Sequence, residues 1–173
     1  MYIQNLHTHT CYCDGADTPG DIITTALEKN FTSIGFSGHS YATYSQLLAK
    51  YGDRTEAYKK DVLDLKKRYE DRIKIYLGLE VDMYSNPDMN GYDFLIGSVH
   101  YLKCAGEYVN VDRPVTDVEN GINRYFSGDG MKYAKAYYET VAQLPQYGRF
   151  DIIGHFDLIT KQHDIFKFFD ISS

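Results

Sequence analysis

The sequence predicts an α/β fold of the (β/α)-barrel kind, a parallel sheet with helices outside it. Three observations carry that expectation. Strand-like and helix-like segments alternate along the chain. The strand-like runs are apolar on both faces, as in strands covered on both sides. Each of five such runs stops at a side chain able to bind metal, at the end where α/β barrels and open α/β sheets place their sites.

The elements follow in order. "YIQNL" is a short strand that runs into "HTHT". "DTPGDIITTALEKN" is the first helix: Thr18 serves as N-cap, Pro19 fits the first helical position, and Asp21 stands where a capping box puts its acid. "TSIGFSGH" is a buried-type strand. "RTEAYKKDVLDLKKRYEDR" sets Val62, Leu65 and Tyr69 at helical spacing among charges. "IKIYLGLE" and "YDFLIGSVH" are the third and fourth strands, and "YLKCAGEYVNV" reads as a hairpin turning at Ala105-Gly106. Two helices follow, "VTDVENGINRYF" and "GMKYAKAYYETVAQL", on which Tyr133, Tyr137 and Tyr138 are expected to be half-buried. "FDIIGH" is a fifth buried strand, and "FDLITKQHDIFKFFDISS" closes the chain.

Composition narrows the function. With 173 residues and 43 % hydrophobic side chains, the chain suits one domain over 1–173 with a sizeable core. A formal charge of -6 argues against a sequence-independent grip on nucleic acid. There is no signal-peptide pattern at the start and no apolar run of about 18 residues, so a cytoplasmic protein without a membrane partner is expected. Three cysteines, Cys11, Cys13 and Cys104, make no disulfide framework. The offset between Cys11 and Cys13 is not that of a zinc knuckle, and all three are read as packing residues or bystanders. No Gly-rich phosphate loop or dinucleotide fingerprint is present.

The strand ends hold the chemistry: His7 and His9, then His39, Glu80, His100 and His155. Residues two apart on a strand point to the same side, so His7 and His9 can reach one ion. Asp14 joins them, with a glycine after it to turn the loop tightly. The predicted metal ligands are therefore His7, His9, Asp14, His39, Glu80, His100 and His155. Imidazole and carboxylate donors suit zinc, manganese or iron(II). They outnumber what one tetrahedral ion uses, so two or three divalent ions are expected, with Glu80 bridging. Clustered ions of this kind suit phosphate-ester hydrolysis.

"HTHTCYCDG", "GFSGHS", "GLEVD", "GSVHY" and "DIIGHFDLITK" resemble successive motifs of the polymerase-and-histidinol-phosphatase (PHP) domain family, more narrowly its monofunctional histidinol-phosphatase branch, and "YFSGDGMKYAKAYYETVA" resembles that branch too. The resemblance covers nearly the whole chain. It implies a distorted TIM-like (β/α)7 barrel whose trinuclear metal centre hydrolyses L-histidinol phosphate to L-histidinol and phosphate, a step of histidine biosynthesis. It further implies that His7, His9 and Glu80 hold a first ion, that Glu80, His100 and His155 hold a second, and that Asp14 and His39 contribute to a third. A metal-bridging hydroxide would be the nucleophile, with Glu80, His100 and His155 at the catalytic centre. Lys161 is the candidate phosphate contact, with a solvated lysine as the competing reading. His163 matches no motif and is read as a surface residue.

The family ends with a further strand carrying an Asp-x-His pair, and no such pair follows His155. Only about five βα units are visible where the family barrel has seven. A domain shortened at its C-terminal end, a completing second chain, or a smaller barrel closed by homo-oligomerisation would each account for this. A shortened domain is the reading adopted, with weaker binding of the first and third ions expected. The rivals are another PHP-type phosphoesterase acting on a different small phosphate, and a metal-binding remnant with little or no activity.

Overall fold

In the computed structural model, which describes residues 2–46, 48–112 and 114–161, a single parallel sheet organises the chain. Its centre is β3 (Lys74–Asp82), flanked by β2 (Ser33–His39) and β4 (Phe94–Ser98). These three strands are almost entirely buried, as their two-faced apolar runs require. Strand β1 (Gln4–Asn5) pairs with β2, and β7 (Ile152–Ile153) pairs with β4, giving the order β1-β2-β3-β4-β7. The result is a curled half-barrel of α/β type, consistent with a distorted TIM-like fold.

The expectation of a fifth buried strand needs correction. Among the described residues β7 is two residues long, pairs on one side only, and leaves Ile153 41 % exposed. An edge strand lacks a neighbour to cover its second flank, and β1, exposed at both residues, is the other edge.

Helix α1 (Pro19–Glu28) begins where its capping box puts it. Thr18 Oγ1 accepts from the Asp21 amide at 3.2 Å, and Asp21 Oδ2 accepts from the Thr18 amide at 3.3 Å. Its buried stripe, Ile23 and Ala26, packs with Tyr58, Val62 and Leu65 of α2 (Thr55–Arg68) against Ile34, Phe36, Ile75 and Leu77 of the sheet. Each fully buried side chain of this size contributes about 1.5–3 kcal/mol.

After β4 the chain leaves the sheet. The hairpin β5 (Tyr101–Cys104) and β6 (Glu107–Asn110) turns at Ala105 and Gly106, both at positive φ (49° and 88°), the geometry that a two-residue hairpin loop demands. Helices α3 (Val115–Phe126), α4 (Gly130–Val141) and α5 (Leu144–Tyr147) form a second core with it. Tyr133 and Tyr137 are fully buried there, deeper than amphipathic spacing suggests, because α4 faces α3, the hairpin and Leu158 at once. Tyr138, on the other face, is exposed. Among the described residues no helix is long and apolar enough to cross a membrane. His163 and the stretch "FKFFDISS" lie outside the described residues.

Candidate metal centre

The parallel register decides who meets whom. His39 ends β2 directly opposite Glu80 of β3, while His7 and His9 follow β1, His100 follows β4 and His155 follows β7. Four strands therefore deliver five imidazoles to a carboxylate on the fifth. Glu80, 1 % exposed, shares them between its two oxygens. On Oε1 lie His7 Nε2 at 3.2 Å, His155 Nε2 at 3.0 Å and His100 Nε2 at 3.5 Å. On Oε2 lie His39 Nδ1 at 3.1 Å and His9 Nε2 at 3.3 Å. His7 and His9 leave β1 before they reach the site, so their shared direction comes from the loop, with ring centroids 5.2 Å apart.

Asp14 closes the group from the side. Its Oδ1 is 3.0 Å from His9 Nδ1 and its Oδ2 3.4 Å from His39 Nε2. Gly15 makes that approach feasible, since a Cβ there would come within 2.6 Å of the His9 backbone. All seven sequence-predicted ligands thus converge. Donor atoms of His7, Glu80 and His155, and of His9, His39 and Glu80, lie within 4.8 Å of one another, as metal ligands do.

The electrostatics follow from crowding bases around buried acids. Burial alone would raise the Glu80 carboxyl, but hydrogen bonding to His155, His7 and His9 and the charge of His100 hold it well below its ordinary range. Burial opposes charge on His9, yet Asp14, Cys13 and Glu80 together push it up to about 12. Asp14 is lowered by hydrogen bonds to His39 and His9.

The residues fit a divalent ion. Among the described residues, Glu80 Oε2 is buried and accepts no aligned hydrogen bond, although two imidazole nitrogens stand within 3.3 Å of it, and His155 Nδ1 is likewise buried without a partner. An orphaned buried carboxylate oxygen is costly unless a cation shares it. Nitrogen and carboxylate donors are what zinc and its first-row neighbours take.

The structure adds residues that strand-end reasoning missed. The hydroxyl of Ser98 donates to Glu80 Oε1 at 2.6 Å. Asp82, two residues beyond Glu80 and hence on the same side of β3, contacts His100; the i, i+2 rule was the signal that pointed to it. Cys13 is no bystander, since its Sγ lies 3.4 Å from His9 Nδ1. Burial raises this thiol, but hydrogen bonds to His9 and to the Thr10 and His39 backbone outweigh that and lower it. Lys161 Nζ pairs with Asp112 Oδ1 at 2.5 Å.

Known proteins show the same frame. A model of the PHP domain matches residues 5–170. A Deinococcus radiodurans protein assigned as a histidinol-phosphatase is 28 % identical over 166 residues, which cover 90 % of this chain and 60 % of that protein. The histidinol-phosphatase of Bacillus subtilis is 27 % identical over 195 residues, covering 97 % and 70 %. Among solved structures, a Listeria monocytogenes protein assigned as a histidinol phosphatase superposes with a TM-score of 0.76 at 24 % identity, over 94 % of this chain and 70 % of that one. Histidinol phosphate phosphatase from Lactococcus lactis, in complex with zinc, L-histidinol and phosphate, gives 0.67 at 19 % identity, over 92 % and 59 %. The chain thus spans 60 % and 70 % of the lengths of the two curated relatives. The two structural likenesses carry the fold. The family model, matched over almost the whole sequence, carries membership: the chain belongs to the PHP domain family.

Proposed function

We propose that this chain carries the metal centre of a phosphomonoesterase that hydrolyses L-histidinol phosphate to L-histidinol and phosphate. One observation supports this above the others: five imidazoles divide between the two oxygens of one buried carboxylate, three on Oε1 and two on Oε2 of Glu80. A carboxylate used from both sides is suited to join two ion positions. His7, Glu80, His100 and His155 would hold one, and His9, His39, Asp14 and Glu80 the other, with room for a third about Asp14. Zinc is the favoured ion, because a relative of the same fold is a zinc complex, and manganese and iron(II) match the same donors. Divalent ions in such a site lower the pKa of bound water and neutralise charge building on a phosphoryl group.

The chain's own residues set the stage for that chemistry. Glu80 would supply the negative charge that the cations share, and Ser98 fixes its Oε1. Burial of Glu80 and His100 keeps bulk water from these donors, which strengthens every interaction among them. Lys161, held by Asp112 at the flank, is proposed as a phosphate contact. The tyrosine-rich segment between His100 and His155 carries no basic excess, which favours a small alcohol as the organic half of the substrate over a polynucleotide.

The test is phosphate release by zinc-loaded protein from L-histidinol phosphate set against a panel of sugar and nucleoside monophosphates. Preference for L-histidinol phosphate supports the proposal. Faster turnover of another ester moves the chain to a different phosphoesterase activity, and zinc bound with no turnover of any ester refutes the enzymatic reading.

A further inference from the structure

The second buried carboxylate of the centre has no part in the reading above. Asp82 is 1 % exposed and ends β3 opposite Ser98 of β4, beside the turn that carries His100. Its Oδ2 accepts from the His100 amide at 3.0 Å and lies 3.1 Å from His100 Nδ1, while its Oδ1 accepts from the Tyr84 amide at 3.2 Å and from the Tyr44 hydroxyl. Its own amide donates to Ser40 Oγ at 3.1 Å, which fixes the backbone from which the carboxylate projects. Tyr44 is in turn held by ring stacking on Tyr108, with centroids 4.3 Å apart.

Four donors converge on one side chain, two at each oxygen. Only a carboxylate accepts at both ends; an amide in the same place would turn an N–H2 toward one pair of donors. Since a carboxylate accepts and does not donate, the contact with His100 assigns the imidazole proton to Nδ1. The lone pair of Nε2 then faces Glu80 Oε1, 3.5 Å away. A buried imidazole without that partner would be free to flip or to take the other tautomer, and would present N–H where a cation needs a lone pair.

We propose that Asp82 is a positioning residue for the metal centre: braced by Tyr44, it locks His100 in the Nδ1–H tautomer and so orders Nε2 as a ligand. This rests on the metal-centre reading above. Outer carboxylates on metal-bound histidines elsewhere change metal affinity by about 10–100-fold when removed. The same range is expected here for the ion on the His100 side alone, because Asp82 makes no contact with His9 or His39 in the structure.

Zinc alone is the probe. Stoichiometry and dissociation constants are measured by competition with a chromophoric chelator for the parent protein, Asp82→Asn and His100→Ala. Asp82→Asn is expected to weaken one ion by about 10–100-fold while the ion on the His9 and His39 side binds as in the parent. Parent-like binding of every ion by Asp82→Asn, with a loss in His100→Ala, overturns the positioning role and leaves the metal centre standing. A parent protein that binds no zinc overturns both. Because the variant could fold poorly, the tautomer is also read directly in the zinc-loaded parent by long-range 1H–15N correlation of histidine ring nitrogens, with His100 assigned from the signals that His100→Ala lacks. Protonated Nδ1 and metal-bound Nε2 are expected, and the reverse assignment overturns the proposal whatever the variant does.

Discussion

Replacing Glu80 by glutamine removes one oxygen's charge from two sites at once. Glu80 belongs both to the His7 and His155 group and to the His9 and His39 group, and among the described residues it is the candidate ligand that these two groups share. The geometry also says which side suffers more. The Ser98 hydroxyl donates to Oε1 at 2.6 Å, so the glutamine amide sets its oxygen there and its N–H2 toward His9 and His39. The His9 and His39 group then holds a donor where a cation needs an acceptor, while the His7 and His155 group retains a neutral oxygen. A ligand present at 100 times its Kd stabilises the fold by about 2.7 kcal/mol per site. At a zinc concentration that reaches this level for the parent, Glu80→Gln is therefore expected to lose about 2.7 kcal/mol of zinc-dependent stabilisation from the His9 and His39 side and part of the same amount from the other. The assay is urea unfolding followed by circular dichroism, with and without zinc. Glu139→Gln, on the solvent face of α4 and paired only with Lys135 among the described residues, serves as the control and is expected to leave the zinc effect intact. Full zinc-dependent stabilisation in Glu80→Gln would refute the argument that this carboxylate joins the two groups.

Other outcomes follow from the same contacts. Gly154→Ala places a Cβ 2.2 Å from Ser98 Oγ and 3.0 Å from Ile96 Cγ2, so a loss of about 1–3 kcal/mol in urea unfolding is expected, together with weaker zinc binding as Ser98 is driven off Glu80. Thr18→Ala removes the acceptor for the Asp21 amide and is expected to cost about 1 kcal/mol by the same unfolding assay without changing zinc affinity. Acid titration tests the charge pattern of the metal-free protein. His39 and His9 hold the Asp14 carboxyl below its ordinary value of 3.8, and a depressed carboxyl adds stability that is present above the unfolded value and lost as pH falls through the folded one. In chelator-treated samples Asp14→Asn should be less stable than the parent by a constant margin above about pH 5, with the margin narrowing as the pH falls further. A margin that widens in acid would contradict the assignment.

Much of this was legible in the sequence because it is local or periodic. The Thr18 capping box, the Ala105-Gly106 turn and the two-faced apolar runs of β2, β3 and β4 are set by neighbours in the chain, and the structure places them where the pattern puts them. The candidate ligand set was legible because five strand ends carried six metal-capable side chains, two of them at the first, and parallel strands bring their ends together. What the sequence hid depends on partners distant in the chain. The "FDIIGH" run looks as apolar as a central strand, but whether such a run is covered on both sides depends on a neighbour that no local pattern reveals. Asp82 looks like an ordinary acid at a strand end, and only its burial against His100, Tyr44 and Tyr84 distinguishes it. Cys13 was set aside on its spacing to Cys11, whereas its relevant neighbour is His9, brought close by the tight loop that ends at Gly15.

The measurement that tests the central claim most directly is the number of zinc ions bound per chain at saturation, in the parent and in Glu80→Gln, by equilibrium dialysis and elemental analysis. The account expects two or more ions on the parent and fewer on the variant. A parent chain that binds none, or a variant that binds as many as its parent, would contradict a metal centre built on the two oxygens of Glu80.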